Sequence, residues 1–191
     1  MSHKQKKPFQ ALNIAVHTVS DTRTEENDTS GLALKERLLA AGHYLADKKI
    51  TRDDIFHIRA VVSDWIHRGD VDVVLITGGT GFTVRDNTPQ AVEPLLVKKV
   101  HGFGELFRYI SYQEIGTSTV QSRALAGISN GTLIVCMPGS PNACKTAWDK
   151  ILVDQLDASH RPCNFVDHLQ NAQNAQNAKQ AEVDSSCVSR D

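Results

Sequence analysis

Two glycine-containing loops hold the residues of this chain whose types and spacing suit chemistry. The first reads Thr77-Gly-Gly-Thr-Gly81 and is followed by Asp86, and the second reads Pro138-Gly-Ser-Pro141. Glycines let backbone N–H groups approach an anion closely, and threonine hydroxyls add further donors. We therefore predict that the two loops face one crevice and together suit a phosphate or another small anion; they comprise Thr77, Gly78, Gly79, Thr80 and Gly81, and Pro138, Gly139 and Ser140.

The first loop has a simpler alternative explanation, a tight strand-to-helix turn that merely requires glycine. Three glycines within four residues favour binding over that alternative. The loop lacks both the Walker pattern and the G-x-G-x-x-G pattern, so a redox dinucleotide enzyme is not expected. The cysteines and histidines show no metal-ligand spacing, and no Ser-His-Asp or Cys-His nucleophile motif is present.

Two acidic residues are candidates for the chemistry at this site. Asp86 ends the first loop, where its charge would repel a bound phosphate unless a cation such as Mg²⁺ bridged them. A helix cap or an ion pair with Arg85 is the alternative for Asp86. Asp53 begins a predicted helix, where spacing alone favours a cap or first-turn acid, and Asp54 fits that position equally well.

Further polar residues lie beyond predicted strand ends. Ser20 follows the first strand, and Ser122 with Arg123 lies in a stretch rich in serine and threonine. Arg123 suits bidentate binding of a phosphate, with a solvated surface arginine as the alternative.

Strands and helices that alternate along the chain must position these residues. Short apolar runs predict buried strands over 12–19, 43–50, 71–76 and 132–136. Helical spacing predicts helices over 31–41, 53–68 and 142–156. We expect Thr29 or Ser30 to cap the first helix and Thr88, before Pro89, to cap another. The alternation implies a mainly parallel sheet covered on both faces, with both glycine loops at one crevice outside the carboxyl ends of the strands.

Three other sets of side chains have structural interpretations. His17 lies within the first strand and is expected to be a buried histidine rather than a catalyst. Trp65 and Trp148 are expected in the core. Aromatic residues between 95 and 127 suit either a subunit interface or a local core, namely Phe103, Phe107, Tyr109 and Tyr112.

Composition places this chain among ordinary globular proteins. It has 191 residues, a net charge of −1, 40% hydrophobic and 23% charged residues. The near-zero charge argues against nucleic acid or a membrane surface as a partner bound by bulk charge. Neither a membrane-spanning run nor a secretory signal is apparent, so we expect a cytoplasmic location with reduced thiols.

The composition also changes along the chain. Residues 1–10 form a loose basic lead-in, and residues 11–169 are the predicted folded domain. Residues 170–191 begin with a Gln-Asn-Ala repeat and offer almost nothing to bury, which predicts a disordered or frayed helical tail.

Several motifs in a consistent order carry a resemblance to a known family. They are Thr18-Val-Ser20, Asp28-Thr-Ser-Gly31, Thr77-Gly-Gly-Thr-Gly81 with Arg85-Asp86 and Thr88-Pro89-x-Ala91, residues 102–108, residues 114–123, Pro138-Gly-Ser-Pro141 and Arg161-Pro-Cys-Asn164. On these motifs the chain, over about residues 11–169, resembles the molybdopterin-binding MoaB/Mog family, and most of all its B branch.

The resemblance implies a three-layer α/β/α sandwich that assembles as a trimer or a dimer of trimers (a hexamer). It implies binding of molybdopterin, and in active members the use of ATP as co-substrate with Mg²⁺ to give adenylylated molybdopterin and pyrophosphate. Asp86 and Asp53 match the family's two key acids and would be catalytic and hold Mg²⁺. Here Asp53 lies in Ile50-Thr-Arg-Asp-Asp54, where Arg52 replaces the proline of many relatives.

Two further functions are compatible with the same resemblance. The chain could bind or carry the pterin without turnover, or it could be an assembly scaffold in which a hexamer surface matters and the pocket is vestigial. Other molybdenum cofactor biosynthesis proteins are the expected partners. Retention of both acids favours the enzyme.

Overall fold

The computed structural model describes residues 7–169. Residues 7–10 of the predicted lead-in are irregular and exposed. Residues 1–6 and the predicted tail over 170–191 lie outside the described residues, as does Cys187. The other three cysteines, Cys136, Cys144 and Cys163, are free.

A six-stranded sheet forms the centre of the described chain, in the order β2-β1-β3-β6-β5-β4. Strands β2, β1, β3 and β6 are parallel, β5 runs antiparallel to β6, and β4 runs antiparallel to β5. The sheet is therefore mixed but mainly parallel, as predicted. The strands are β1 Asn13–Val19, β2 Tyr44–Thr51, β3 Val73–Thr77, β4 Lys98–Lys99, β5 Leu125–Ser129 and β6 Thr132–Met137.

Helices cover both faces of this sheet. The α-helices are α1 Thr29–Ala40, α2 Ile55–Arg68, α3 Thr88–Val92, α4 His101–Ile115, α5 Pro141–Ala147 and α6 Val153–Gln155. Short 3₁₀ segments span Glu93–Leu95 and Gly116–Gln121, and a π-helical segment, Trp148–Leu152, joins α5 to α6. The last predicted helix is thus three segments in the structure.

Both faces of the central strands are buried, which accounts for their continuous apolar runs. In β3, Val73 and Leu75 pack into one hydrophobic cluster, whereas Val74 and Ile76 pack into a second on the opposite face. The first cluster includes residues of α1, α4 and α5, and the second includes residues of α2 and α3. This arrangement confirms the three-layer α/β/α sandwich.

The residues expected in the core are there. Trp65 is fully buried in the second cluster and Trp148 is nearly so in the first. His17 is completely buried in β1. None of the helices within residues 7–169 has both the length and the hydrophobicity needed to cross a bilayer.

Two predicted helix caps are wrong. Helix α1 begins before the predicted start, so Asp28 rather than Thr29 or Ser30 is its cap, accepting a hydrogen bond from Gly31 N–H at 2.9 Å. Thr88 is already helical, and its hydroxyl donates instead to the carbonyl of Gly78 at 2.8 Å. This bond ties α3 to the first glycine loop.

Candidate functional site

A cleft of about 500 Å³ opens at the carboxyl ends of β1, β3 and β6. Most of the predicted binding residues line it: Ser20, Thr77, Gly78, Gly79, Thr80, Gly81, Asp86, Ser122, Pro138 and Gly139. Asp53, Arg123 and Ser140 do not line it. The structure also brings in residues that sequence reasoning left off the site, including Thr18, Thr22, Arg23, Asp28, Ser30, Ile115, Ser118 and Gln121.

The two glycine loops touch each other across the floor of this cleft. The Thr77 hydroxyl donates to the carbonyl of Pro138 at 3.0 Å, and a Cβ built on Gly139 would lie 3.1 Å from Cα of Gly78. Gly78 has φ +102°, and a Cβ there would lie 2.2 Å from the carbonyl oxygen of Val19. At Gly78, therefore, the turn itself and the neighbouring strand end both require glycine.

Asp53 lies directly behind the first loop. One carboxylate oxygen accepts a hydrogen bond from Asn87 N–H at 2.9 Å, and the other would lie 2.5 Å from a Cβ on Gly79. Burial raises the pKa of Asp53, and the negative charges of Asp86 and Asp21 raise it further, whereas the Asn87 hydrogen bonds act in the opposite direction. Asp53 is thus a half-buried carboxylate in a field of like charge.

Asp54, the competitor of Asp53 in the sequence, has a different place. Its side chain is exposed and caps α2, accepting hydrogen bonds from the N–H groups of Phe56 and His57 at 2.9 Å each. The bond from His57 makes the largest contribution to lowering the pKa of Asp54. Asp54 therefore serves the helix, and Asp53 is the acid beside the glycine loop.

Asp86 faces the cleft from the far end of the first loop. Its carboxylate accepts hydrogen bonds from the N–H and hydroxyl of Thr83, at 2.8 and 2.6 Å. Burial acts to raise the pKa of Asp86, but hydrogen bonds from Thr83 and Gly81 and the charge of Arg123 outweigh it and leave the pKa below its ordinary value. The alternative of an Arg85 ion pair does not apply, because Arg85 pairs with Asp21 at 2.5 Å.

The other two predicted residues that miss the cleft have local partners. Ser140 is exposed and caps α5, accepting a hydrogen bond from Ala143 N–H at 3.1 Å. Arg123 binds backbone carbonyls of the first loop, through Nη2 to Asp86 at 2.7 Å and through Nε to Thr80 at 3.4 Å. Their roles toward a ligand stay predictions.

Asp28 anchors the opposite wall of the cleft. Its buried carboxylate accepts hydrogen bonds from the Thr18 hydroxyl and Gly31 N–H, at 2.9 Å each, and pairs with Lys48 at 2.9 Å. The neighbouring Ser30 donates its hydroxyl to the carbonyl of Gly139 at 2.7 Å. The long polar loop before α1 and the Asp28-Thr-Ser-Gly31 motif were the available signals for these residues.

The carboxylates of Asp53 and Asp86, beside the first glycine loop, suit Mg²⁺, which prefers oxygen ligands and often takes one or two carboxylates plus phosphate oxygens. Asp53 and Asp86 flank Gly79 and Gly81, and each is held by a backbone N–H bond. Within residues 7–169 no group of three or more His, Cys, Asp or Glu side chains could hold a metal by itself. The residues present thus fit a cation whose coordination is completed by the phosphate oxygens of a bound ligand.

Comparison with known proteins places this chain in a family. The family described as a probable molybdopterin binding domain matches residues 15–158. Molybdenum cofactor biosynthesis protein B of Escherichia coli K12 is 55% identical over 162 residues, which are 85% of this chain and 95% of that protein. The chain belongs to the molybdenum cofactor biosynthesis protein B family. The protein of the same name from Bacillus anthracis is 46% identical over 81% of this chain and 91% of its own length.

Solved structures of the molybdenum cofactor biosynthesis protein B family share the fold. A crystal structure of a molybdenum cofactor biosynthesis protein B has a TM-score of 0.77 and 41% identity, covering 87% of this chain and 98% of its own. The tungsten cofactor synthesizing protein MoaB from Pyrococcus furiosus has a TM-score of 0.69 and 38% identity, and the match covers 76% of this chain and 92% of that protein's chain. These matches confirm the resemblance seen in the motifs and give the chain a role in molybdenum cofactor biosynthesis.

Proposed function

We propose that this chain binds molybdopterin and transfers the adenylyl group of ATP to it in the presence of Mg²⁺, giving adenylyl-molybdopterin and pyrophosphate. One observation carries the proposal. Two glycine loops meet at the carboxyl ends of β3 and β6, and two carboxylates, Asp53 and Asp86, flank the first of them. Family membership supplies the ligand class, since the matching domain is of the probable molybdopterin-binding type.

The transfer needs no nucleophile from the protein. A terminal phosphate oxygen of molybdopterin attacks the α-phosphorus of ATP, a new P–O bond forms, and the bond to the β-phosphate breaks to release pyrophosphate. The attacking phosphate is already deprotonated near neutral pH, so no general base is required. The protein's part is to hold two anions in line and to offset their charge.

Residues of the cleft, together with Asp53 behind the first loop, have separate roles in this transfer. Gly79, Thr80 and Gly81 hold phosphate at the first loop, and the second loop lines the pterin side. Asp53 and Asp86 would hold Mg²⁺, and the ion would neutralise charge on the reacting phosphates. The hydrogen bonds from Asn87 to Asp53 and from Thr83 to Asp86 keep both carboxylates in place before ligands arrive.

The test is direct. Purified protein is incubated with molybdopterin and Mg-ATP, and adenylyl-molybdopterin and pyrophosphate are measured. We expect Asp53→Asn and Asp86→Asn each to reduce kcat by roughly 100-fold or more, while pterin binding is largely retained. Each asparagine keeps an oxygen that can accept the existing backbone hydrogen bond, so the fold should persist.

Asp54→Asn is the matched control, because it removes a charge one residue away from Asp53. Asparagine caps helices as well as aspartate does, so turnover and stability should stay near those of the unaltered protein. Unaltered turnover in a verified Asp86→Asn protein would contradict the catalytic assignment. Saturable pterin binding without any product would instead support a non-catalytic carrier, and no saturable binding at all would support a scaffold.

The expected trimer or hexamer is part of the same proposal. Helix α4 buries Phe103 and Phe107 in the core but leaves Tyr109 and Tyr112 exposed, at 70% and 53%. Ile115, at the end of that helix, is exposed and also lines the cleft. A subunit contact through Tyr109 and Tyr112 would cover this surface, and sedimentation analysis would distinguish monomer, trimer and hexamer.

A further inference from the structure

Arg123 closes the first glycine loop from outside the cleft. Its Nη2 donates to the carbonyl of Asp86 at 2.7 Å, and its Nε donates to the carbonyl of Thr80 at 3.4 Å. Its backbone N–H also donates to Thr80 at 3.2 Å. One residue of the segment before β5 therefore binds both ends of the stretch from Thr80 to Asp86.

The guanidinium makes a third contact within the same stretch. Its central carbon lies 5.1 Å from the centroid of the Phe82 ring, within the range of a cation–π interaction. The planar fork of arginine can bind two carbonyls while its face stacks on an aromatic ring, which a lysine ammonium cannot do. Phe82 itself is 70% exposed, so this contact covers one side of an otherwise open ring.

These contacts leave the side chain outside the cleft that the loop lines. The sequence left a direct phosphate clamp and a solvated surface arginine as equal alternatives for Arg123, whereas in the structure its Nη2 and Nε donate to loop carbonyls. Asp86, whose carbonyl is one of them, carries the carboxylate that faces the cleft. Fixing the backbone of Asp86 fixes where that carboxylate points.

We propose that Arg123 is a positioning residue. It holds the loop from Thr80 to Asp86 in the conformation that presents the Asp86 carboxylate to the ligand, and it is not itself a phosphate ligand. The kinetic part of this inference rests on the proposed adenylyl transfer. The structural part does not, because the loop can be observed in the free protein.

The experiment compares Arg123→Lys and Arg123→Gln with the unaltered full-length chain. Amide hydrogen exchange over residues 78–87 is measured without ligands. Loss of two charge-assisted bonds to carbonyls should speed exchange there by at least about tenfold in both variants, with the core strands β1 and β3 unchanged. The lysine variant keeps the positive charge, so a change shared by both variants reflects the lost fork geometry.

Arg108→Lys is the matched control. Arg108 Nη1 donates to the carbonyls of Ser122 and Ala124, at 3.4 and 3.2 Å, on either side of Arg123. This variant disturbs the segment that carries Arg123 but leaves the hydrogen bonds from Arg123 to Thr80 and Asp86 in place. Exchange over residues 78–87 should then stay within about twofold of the unaltered chain.

Kinetics separates positioning from direct binding where turnover is found. A positioning role predicts that Arg123→Lys lowers kcat, that KM for molybdopterin and ATP changes little, and that added guanidinium ion partly restores kcat in Arg123→Gln. Unchanged exchange over 78–87 would overturn the inference, as would an equal increase in Arg108→Lys. If no adenylyl transfer occurs in the unaltered protein, the exchange data still decide the role of Arg123.

Discussion

His17 makes the stability of this protein depend on pH between about 6.5 and 4. The ring is completely buried in β1, its Nε2 lies 2.8 Å from the Thr51 hydroxyl, and its Nδ1 has no hydrogen-bond partner within residues 7–169. The imidazole ring and the Trp65 ring pack edge to face, with their centroids 5.7 Å apart. Burial, with a smaller contribution from the charge of Lys49, lowers the pKa of His17 to about 4.

The sign and size of the effect follow from this lowered pKa. In the unfolded chain His17 takes up a proton as the pH falls below about 6.5, whereas the folded protein resists it until about 4. The contribution of neutral His17 is therefore fully present above pH 6.5 and is lost as the pH falls toward 4. A difference of about 2.5 pKa units corresponds to about 3 kcal/mol in total, of which about 2 kcal/mol is lost by pH 5.

The assay is urea unfolding of the unaltered chain and of His17→Gln at pH 7.5 and pH 5. The drop in the free energy of unfolding between these pH values should be smaller in His17→Gln by about 2 kcal/mol. Burial also lowers the pKa of His43, whose Nδ1 accepts a hydrogen bond from Leu12 N–H. Comparing the two proteins cancels that contribution, and equal drops in both would refute the reasoning.

Two substitutions test the packing around the cleft. Lys48→Met leaves the Asp28 carboxylate buried without its cation and should lower the free energy of unfolding by about 3–5 kcal/mol in urea titrations. Its control is Lys99→Met, which breaks an exposed pair with Glu93 and should lower the free energy of unfolding by less than about 1 kcal/mol. Gly78→Ala places a Cβ against the carbonyl of Val19 and should lower the melting temperature sharply and open the cleft, whereas Gly102→Ala, with open space around its Cβ, should not. Equal effects in either pair would contradict the geometry described for that pair.

The layers of the fold were predictable because both faces of the central strands are apolar and helices alternate with them. The antiparallel edge was not predicted, since the stretch from 95 to 127 mixes short elements without a sustained period. One local signal was available just after that stretch. Asn130 and Gly131, both with positive φ, form the two-residue connection of the β5–β6 hairpin, and an Asn-Gly pair between apolar runs is a strong hairpin signal.

The site shows a different limit of sequence reasoning. Asp53 and Asp54 are equivalent by spacing, and only the tertiary position of Asn87 and Gly79 distinguishes the acid beside the loop from the acid that caps α2. Arg123 was recognised as a residue suited to the site, but which acceptors face its guanidinium depends on how the loop folds back. In these cases the residue type indicated which groups a side chain could bind, and contacts between residues distant in the sequence decided which group it does bind.

Charge compensation around the cleft supports Asp53 as the acid that gains most from a bound cation. Three neighbouring acids each have a basic side chain close by, namely Asp28 with Lys48, Asp21 with Arg85 and Asp86 with Arg123. Within residues 7–169 Asp53 has no ion-pair partner, and the charges of Asp86 and Asp21 both act against its ionised form. A Mg²⁺ ion beside Asp53 would replace this repulsion with attraction at the loop where the proposed transfer binds phosphate. Under the proposed function, a chain with a net charge of only −1 would bind an anionic pterin and ATP through local cations and backbone amides rather than through its net charge.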